Sequence, residues 1–177
     1  MANNDSHLHD DEVASPDEQK ELWKRAQKVR FAMVTTRGAD GTLSSRPMTL
    51  QGVDDDGTMW FFTAANTQLG DEVRRDPSLN VAFANTADDF YLAAAGNGHF
   101  VDDREKIEAL WGVLAAAWFD GPNDPNLWLL RVDPDRVDYW KSGAGKIIQM
   151  VAMVKAAMTN TRPGKSVGEH GSFEPRH

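Results

Sequence analysis

From Phe31 to Ala64 the chain has no room for a crossover. Three runs with strand character, FAMVTT (31–36), SSRPMTL (44–50) and TMWFFTA (58–64), are joined only by a turn with Asp40-Gly41 at its tip and by another at Asp54-Asp55-Asp56-Gly57. Parallel neighbours need a connection of about a dozen residues or more, usually a helix, so these strands must pair as antiparallel neighbours. Nothing polar interrupts Met59 to Phe62, which predicts a third strand covered on both faces.

The rest of the chain extends this pattern. At Ser15-Pro16-Asp17-Glu18 a helix begins, with Ser15 as cap, Pro16 at the first helical position and Glu18 completing a capping box. Leu22, Ala26 and Val29 line one face of that helix, to about Arg30. A short helix from about Thr67 to Arg75 stops before Pro77. LNVAFAN (79–85) and FYLAAAGNGHFVDD (90–103) read as strands, the second kinked by a bulge near Gly96 to Gly98. Ile107, Leu110, Trp111, Leu114 and Trp118 recur at a spacing that predicts one amphipathic helix over 103–118. LWLLRVDPDRVDYWK (127–141) predicts a strand to Val132, a turn at Asp133-Pro134 and a short strand to Trp140. Ile147, Met150, Val151, Val154 and Met158 share one face of a last helix. The order predicts a mainly β fold with helices, a β-barrel flanked by α-helices rather than a doubly wound sheet. One domain over 15–159 carries it, with 1–14 as a disordered leader and 160–177 as a disordered tail.

Composition narrows the function classes. With 177 residues, 41% of them hydrophobic, the chain can bury a core. Its formal charge of −8 argues against nonspecific binding to nucleic acid or anionic membrane, both of which reward basic surface. There is no cysteine, hence no disulfide framework, thiolate metal site or cysteine nucleophile. No run approaches the roughly 18 apolar residues of a membrane span, and MANNDSHLHDDE lacks the basic and apolar regions of a signal peptide. A soluble cytoplasmic protein is the expectation. His7 and His9 lie in the polar leader and His99 has no nucleophile or second histidine at informative spacing, so no catalytic triad and no metal site is predicted. SGAGK (142–146) lacks the first glycine and the final Ser or Thr of a phosphate loop, and GNGHF lacks the spacing of a dinucleotide fingerprint.

One strand residue stands out. Alternation puts Arg46, Met48 and Leu50 on one face of their strand and Ser45, Pro47 and Thr49 on the other. A lone strand arginine sits at an edge, pairs with a carboxylate, or meets an anion; Pro47 fits an edge or bulge. Downstream, the apolar strand stops at Thr63 and a helix begins near Thr67. A helix start offers free backbone N–H groups and a favourable dipole to an anion, and Thr63, Asn66, Thr67 and Gln68 add neutral donors. Asn66 or Thr67 could equally serve only as the helix cap. The spacing leaves both readings open.

FAMVTT, SSRPMTL, MWFFT, YLAAAGNGHFVDDREKIEALW, WFDG and LLRVDPDRVDYW, taken as an ordered series from about Phe31 to Trp140, resemble the general stress proteins of the pyridoxamine 5′-phosphate oxidase-like superfamily, the FMN-binding split β-barrels. The resemblance implies a split barrel that is half of a homodimer, with a small-molecule cofactor, FMN, in the subunit interface. FAD and the deazaflavin F420 are the alternatives. It implies that Arg46 holds the flavin phosphate, with Thr63 and the loop of Asn66, Thr67 and Gln68 completing the cradle and Pro47 marking the strand geometry there. Met48 and the backbone around Trp60, Phe61 and Phe62 would border the ring system. Trp111, Trp118 or Trp140 would reach flavin from the partner chain. Family members often carry a lysine where this chain has Gln68, which donates hydrogen bonds but no charge. Either a flavin-dependent oxidoreductase or a flavin-binding protein without turnover fits; no residue is singled out as catalytic.

Overall fold

The computed structural model describes residues 12–64, 66–141 and 169–175. Strand β1 (Glu12–Val13) is followed by α1 (Pro16–Val29), β2 (Phe31–Arg37), β3 (Leu43–Val53), β4 (Met59–Ala64) and α2 (Gln68–Arg75). Then come β5 (Ser78–Asn85), β6 (Phe90–Val101), α3 (Arg104–Leu110), a 3₁₀ turn (Ala115–Ala117), β7 (Leu127–Lys141) and β8 (Glu169–Phe173). Six strands close on themselves. β2, β3 and β4 form the meander that the short turns dictate, β5 lies on the other side of β2, and β6 follows β5; β7 bridges β4 and β6. All of these pairings are antiparallel, giving a closed barrel of the split-barrel type.

Period-two alternation fills it. Val34, Phe61, Val81, Phe83, Leu92, Leu130 and Val132 are fully or almost fully buried within one apolar cluster, and each such side chain contributes roughly 1.5–3 kcal/mol. Helix α1 adds Leu22, Trp23 and Ala26 to that cluster. Its start is built as predicted: Ser15 accepts from the Glu18 N–H, while the Glu18 carboxylate accepts from the Ser15 N–H at 2.9 Å. On the other face of β4, Trp60 joins Ile107, Leu127 and Leu129 in a second cluster, against which Phe62, Leu110, Trp111 and Phe119 pack. The strand is therefore covered on both sides.

Three expectations are corrected. Helix 103–118 ends at Leu110: Trp111 adopts extended backbone (φ −63°, ψ 132°) and lays its ring against Phe62, 6.1 Å between centroids. Gly112, a weak helix former, follows at the break. There is no turn at Asp133-Pro134 either, because β7 runs unbroken through it. Ala95 pairs with Arg136 but Gly96 with Pro134, so Asp135 is the extra residue of a bulge and Pro134 sits where the ladder is already interrupted. Gly96 permits this, since a Cβ there would lie 2.1 Å from the Asp133 carbonyl oxygen. The bulge expected near Gly96 is thus real, and it absorbs the proline.

The third correction concerns the ends. β7 extends beyond β4, and β8 pairs antiparallel with the overhanging Val137–Lys141, where a tail without structure was expected. Phe173 packs its ring against Trp23 and Tyr139, 6.0 and 6.4 Å between centroids. β1, inside the segment expected to be a disordered leader, pairs parallel with β8. The expected helix over 147–158 lies outside the described residues.

Candidate functional site

Arg46 is the half-buried cation of β3, and the fold gives it a partner. Its Nη1 donates to Thr36 Oγ1 of β2 at 2.7 Å and its Nη2 to Glu72 Oε2 of α2 at 2.8 Å. The side chain of Glu72 is only 4% exposed, that of Arg46 23%. Glu72 Oε2 also accepts from Thr36 Oγ1 at 2.6 Å, and its Oε1 accepts from Gln68 Nε2 at 2.8 Å. The Thr36 hydroxyl first, then Gln68 and Arg46, hold the Glu72 carboxyl below its ordinary range, against burial that pushes it up. The result is an ionised carboxylate at the root of the site, with a guanidinium and an amide fixed in front of it.

Helix α2 begins beside them. Thr67 caps it, accepting from the Gly70 N–H at 3.2 Å and donating to the Ala64 carbonyl at 3.3 Å. Between β3, the end of β4, the start of α2 and the 3₁₀ turn lies a cavity of about 790 Å³, within the range of small-molecule sites. Arg46, Pro47, Met48, Phe62, Thr63, Thr67, Gln68 and Trp118 line it, together with Phe31, Thr49, Gln51, Leu114 and Phe119. Among the described residues, Arg46 is the one ionisable residue in that lining. A mostly apolar chamber carrying a guanidinium, threonine hydroxyls, an amide and a helix start suits a flat heteroaromatic ligand with an anionic tail.

Seven of the residues expected around the ligand thus line one cavity, as does Trp118, which was expected to reach flavin from a partner chain; Trp60, Phe61, Asn66, Trp111 and Trp140 lie outside this lining. Phe61 points into the barrel, as alternation requires of the neighbour of Phe62. Trp60 is covered: its Nε1 donates to Asp54 Oδ2 at 2.8 Å, and Lys106 Nζ sits 4.6 Å from its ring centroid. Trp111 is taken up by Phe62 instead of the cavity, and Asn66 is exposed outside the lining. Trp140 lies on β7 opposite Tyr91 and His170, also outside it. Sequence reasoning missed Thr36 and Glu72. A signal for Glu72 existed, since it falls three residues after Leu69 and beside Val73, on the buried face of α2.

His99 is exposed, with Nε2 3.9 Å from Asp133 Oδ2. Among the described residues no group of three or more His, Cys, Asp or Glu could hold a metal ion. No described helix is long and apolar enough to cross a membrane.

Comparison with known proteins meets this geometry from the other side. Residues 17–164 match the family model described as pyridoxamine 5′-phosphate oxidase like. General stress protein 26 of Bacillus subtilis is 26% identical over 106 residues, 58% of this chain and 74% of that protein. A crystal structure described as a general stress protein 26 from Jannaschia sp. CCS1 superposes with a TM-score of 0.70 at 28% identity, covering 91% of this chain and 99% of that one. The general stress FMN/FAD binding protein of Xanthomonas citri is 30% identical, with a TM-score of 0.60 over 71% of this chain and 92% of that one.

Proposed function

The chain belongs to the pyridoxamine 5′-phosphate oxidase-like family, and from that premise we propose that it is a flavin-binding general stress protein that holds FMN or FAD in the cavity between β3 and α2. The supporting observation is the pairing of chemistries in one chamber. Met48, Phe62 and Trp118 offer apolar surface to a ring system, while Arg46, Thr63, Gln68 and the first turn of α2 offer donors to a phosphate. The bonds to Thr36 and Glu72 use two of the five guanidinium N–H groups of Arg46 and leave three, so the ion pair orients the cation without consuming it. The relative from Xanthomonas citri, named for FMN/FAD binding, supports the same ligand class.

A bound flavin supplies the redox chemistry; the residues lining the cavity bind and orient it and shield it from water. With Arg46 the sole ionisable group there, this chain brings no general acid or base to the cavity from its described residues. That favours either redox transfer that needs none, as in a flavin-dependent oxidoreductase, or storage of flavin without turnover. F420 is the further alternative ligand.

We place a second copy of the chain over the open side. Phe31 is 60% and Trp118 83% exposed, both line the cavity, and Val113 and Leu114 extend the same exposed apolar surface. A patch of this kind marks an interaction face. A homodimer by light scattering at micromolar concentration is the expected result, and a monomer refutes it.

The deciding experiment is a fluorescence titration of flavin-stripped protein with FMN, FAD and riboflavin. Tighter binding of FMN or FAD than of riboflavin is the expected outcome. Failure of all three to bind refutes the flavin reading. If flavin binds, faster bleaching by NAD(P)H than that of free flavin separates an oxidoreductase from a binder.

A further inference from the structure

The outer face of the barrel carries no charge across three strands. On β2, β5 and β6 the residues that alternate with the buried Ala32, Val34, Val81, Phe83, Leu92 and Ala94 point outward. From Phe31 to Thr35, from Asn80 to Ala84 and from Tyr91 to Ala95, none of these outward residues is charged. Register lines them up: Met33 pairs with Ala82, Ala82 with Ala93 and Ala93 with Asp138 of β7, while Ala84 pairs with Tyr91 and Tyr91 with Trp140. The result is a shallow apolar trough floored by alanines, with Phe31, Met33 and Tyr91 standing exposed around it. A sheet face that meets water alternates apolar inward with polar outward residues, and an exposed apolar patch marks a docking surface.

We propose that the occupant of this trough is the chain's own segment 147–158, laid across the strands as an amphipathic helix. The segment lies outside the described residues; its sequence and its two attachment points single it out. β7 ends at Lys141, β8 begins at Glu169, and these two residues pair with each other. The chain between them therefore departs from and returns to the β7 edge of the trough, close to Asp138. From β7 across β6 and β5 to β2 is three strand spacings, about 15 Å. A helix over 147–158 spans about 18 Å, with 142–146 and 159–168 left as connections. At helical spacing Ile147, Met150, Val151, Val154 and Met158 share one face, which is the face the alanines receive.

Charge separates this occupant from a second copy. Residues 142–168 contain Lys146, Lys155, Arg162 and Lys165 and no acidic residue, in a chain whose formal charge is −8. The turn between β5 and β6 places Asp88 and Asp89 at the edge of the trough, next to Phe90, which pairs with Lys141. A basic segment is drawn to that edge, whereas a second acidic chain is repelled. The dimer surface proposed above shares Phe31 with the trough and lies otherwise on the far side of the cavity rim, at Val113, Leu114 and Trp118, so the two inferences stand apart.

The chain has no cysteine, so one engineered thiol reports by itself. Maleimide labelling of Ala93→Cys in the full chain is compared with that of Ala39→Cys, in the exposed turn between β2 and β3. Ala93→Cys should react at least about tenfold more slowly. Adding Val151→Asp and Val154→Asp should bring its rate to within a few-fold of Ala39→Cys, while Ala156→Asp, on the opposite side of the helix, should leave it slow.

Equal rates for Ala93→Cys and Ala39→Cys overturn the inference, as does protection that the two aspartates do not relieve. Protection lost on dilution to nanomolar protein assigns the trough to a second copy and overturns it too. A measurement that needs no destabilising change runs beside these: Ala93→Cys is combined in turn with Met150→Cys, Val151→Cys and Val154→Cys and air-oxidised in dilute solution. At least one of the three pairs should form a disulfide within one chain; none, or disulfides between chains only, refutes the proposal even where the aspartate variants fail to fold.

Discussion

Replacing Arg46 by alanine should do two things at once, and the structure allows them to be separated. The first is loss of the phosphate contact, expected to weaken FMN at least tenfold, the worth of one charge-assisted hydrogen bond. The second is structural. Glu72 is left 3% exposed with an uncompensated charge, and breaking a buried pair from one side costs about 3–5 kcal/mol. Arg46 is 23% exposed and Glu72 keeps its bonds from Thr36 and Gln68, so about 2–3 kcal/mol is the appropriate figure. For a chain of this length that lowers Tm by about 4–12 °C. Adding Glu72→Gln removes the stranded charge, and the double variant should recover at least half of the lost stability while FMN stays weak.

The pH dependence carries its own sign. The carboxyl of Glu72 is depressed below its ordinary 4.5 in the folded chain. Its contribution is therefore fully present above that value and is lost as pH falls through the lower folded value. The stability gap between wild type and Arg46→Ala should be full at pH 7.5 and should narrow as pH falls below 4.5. Urea unfolding of the three proteins at pH 7.5 and pH 4.0 measures all of this. A double variant no more stable than Arg46→Ala, or a gap that does not change with pH, would show that the ion pair is not what Arg46 contributes to the fold.

Other substitutions probe the remaining inferences. Gly96→Ala places a Cβ 2.1 Å from the Asp133 oxygen and should cost about 3 kcal/mol or more; an unchanged denaturation midpoint would mean that the bulge does not need the glycine. Trp118→Ser should leave the stability of the isolated chain within about 0.5 kcal/mol yet shift the light-scattering mass towards monomer and weaken FMN. A dimer of undiminished affinity would take Trp118 out of the interface. Gln68→Lys adds a cation beside Glu72 and should tighten FMN by roughly tenfold without altering riboflavin, whereas equal gains for both would place residue 68 away from the phosphate.

What was legible in the sequence follows from range. Ser15 and Glu18 cap α1 through contacts three residues apart, and the hairpins from 31 to 64 follow from turns too short for any other pairing; such features need no knowledge of the rest of the chain. The misreadings share the opposite property. A helical period from Ile107 to Trp118 is a true local preference, overridden at Trp111 because Phe62 of β4 offers its ring a surface that periodicity cannot see. Asp133-Pro134 reads as a turn until Gly96, nearly forty residues away in sequence, supplies the close approach that lets the strand continue. Glu72 is the instructive case for the site. Its helical position beside Leu69 and Val73 announced a buried carboxylate, and the alternation of β3 announced an inward arginine. Either signal alone fits an ordinary solvated charge; read together they require each other, because neither charge could be buried without the other. The cation in the strand is therefore explained twice, by a carboxylate that the chain supplies and by an anion that we propose it receives.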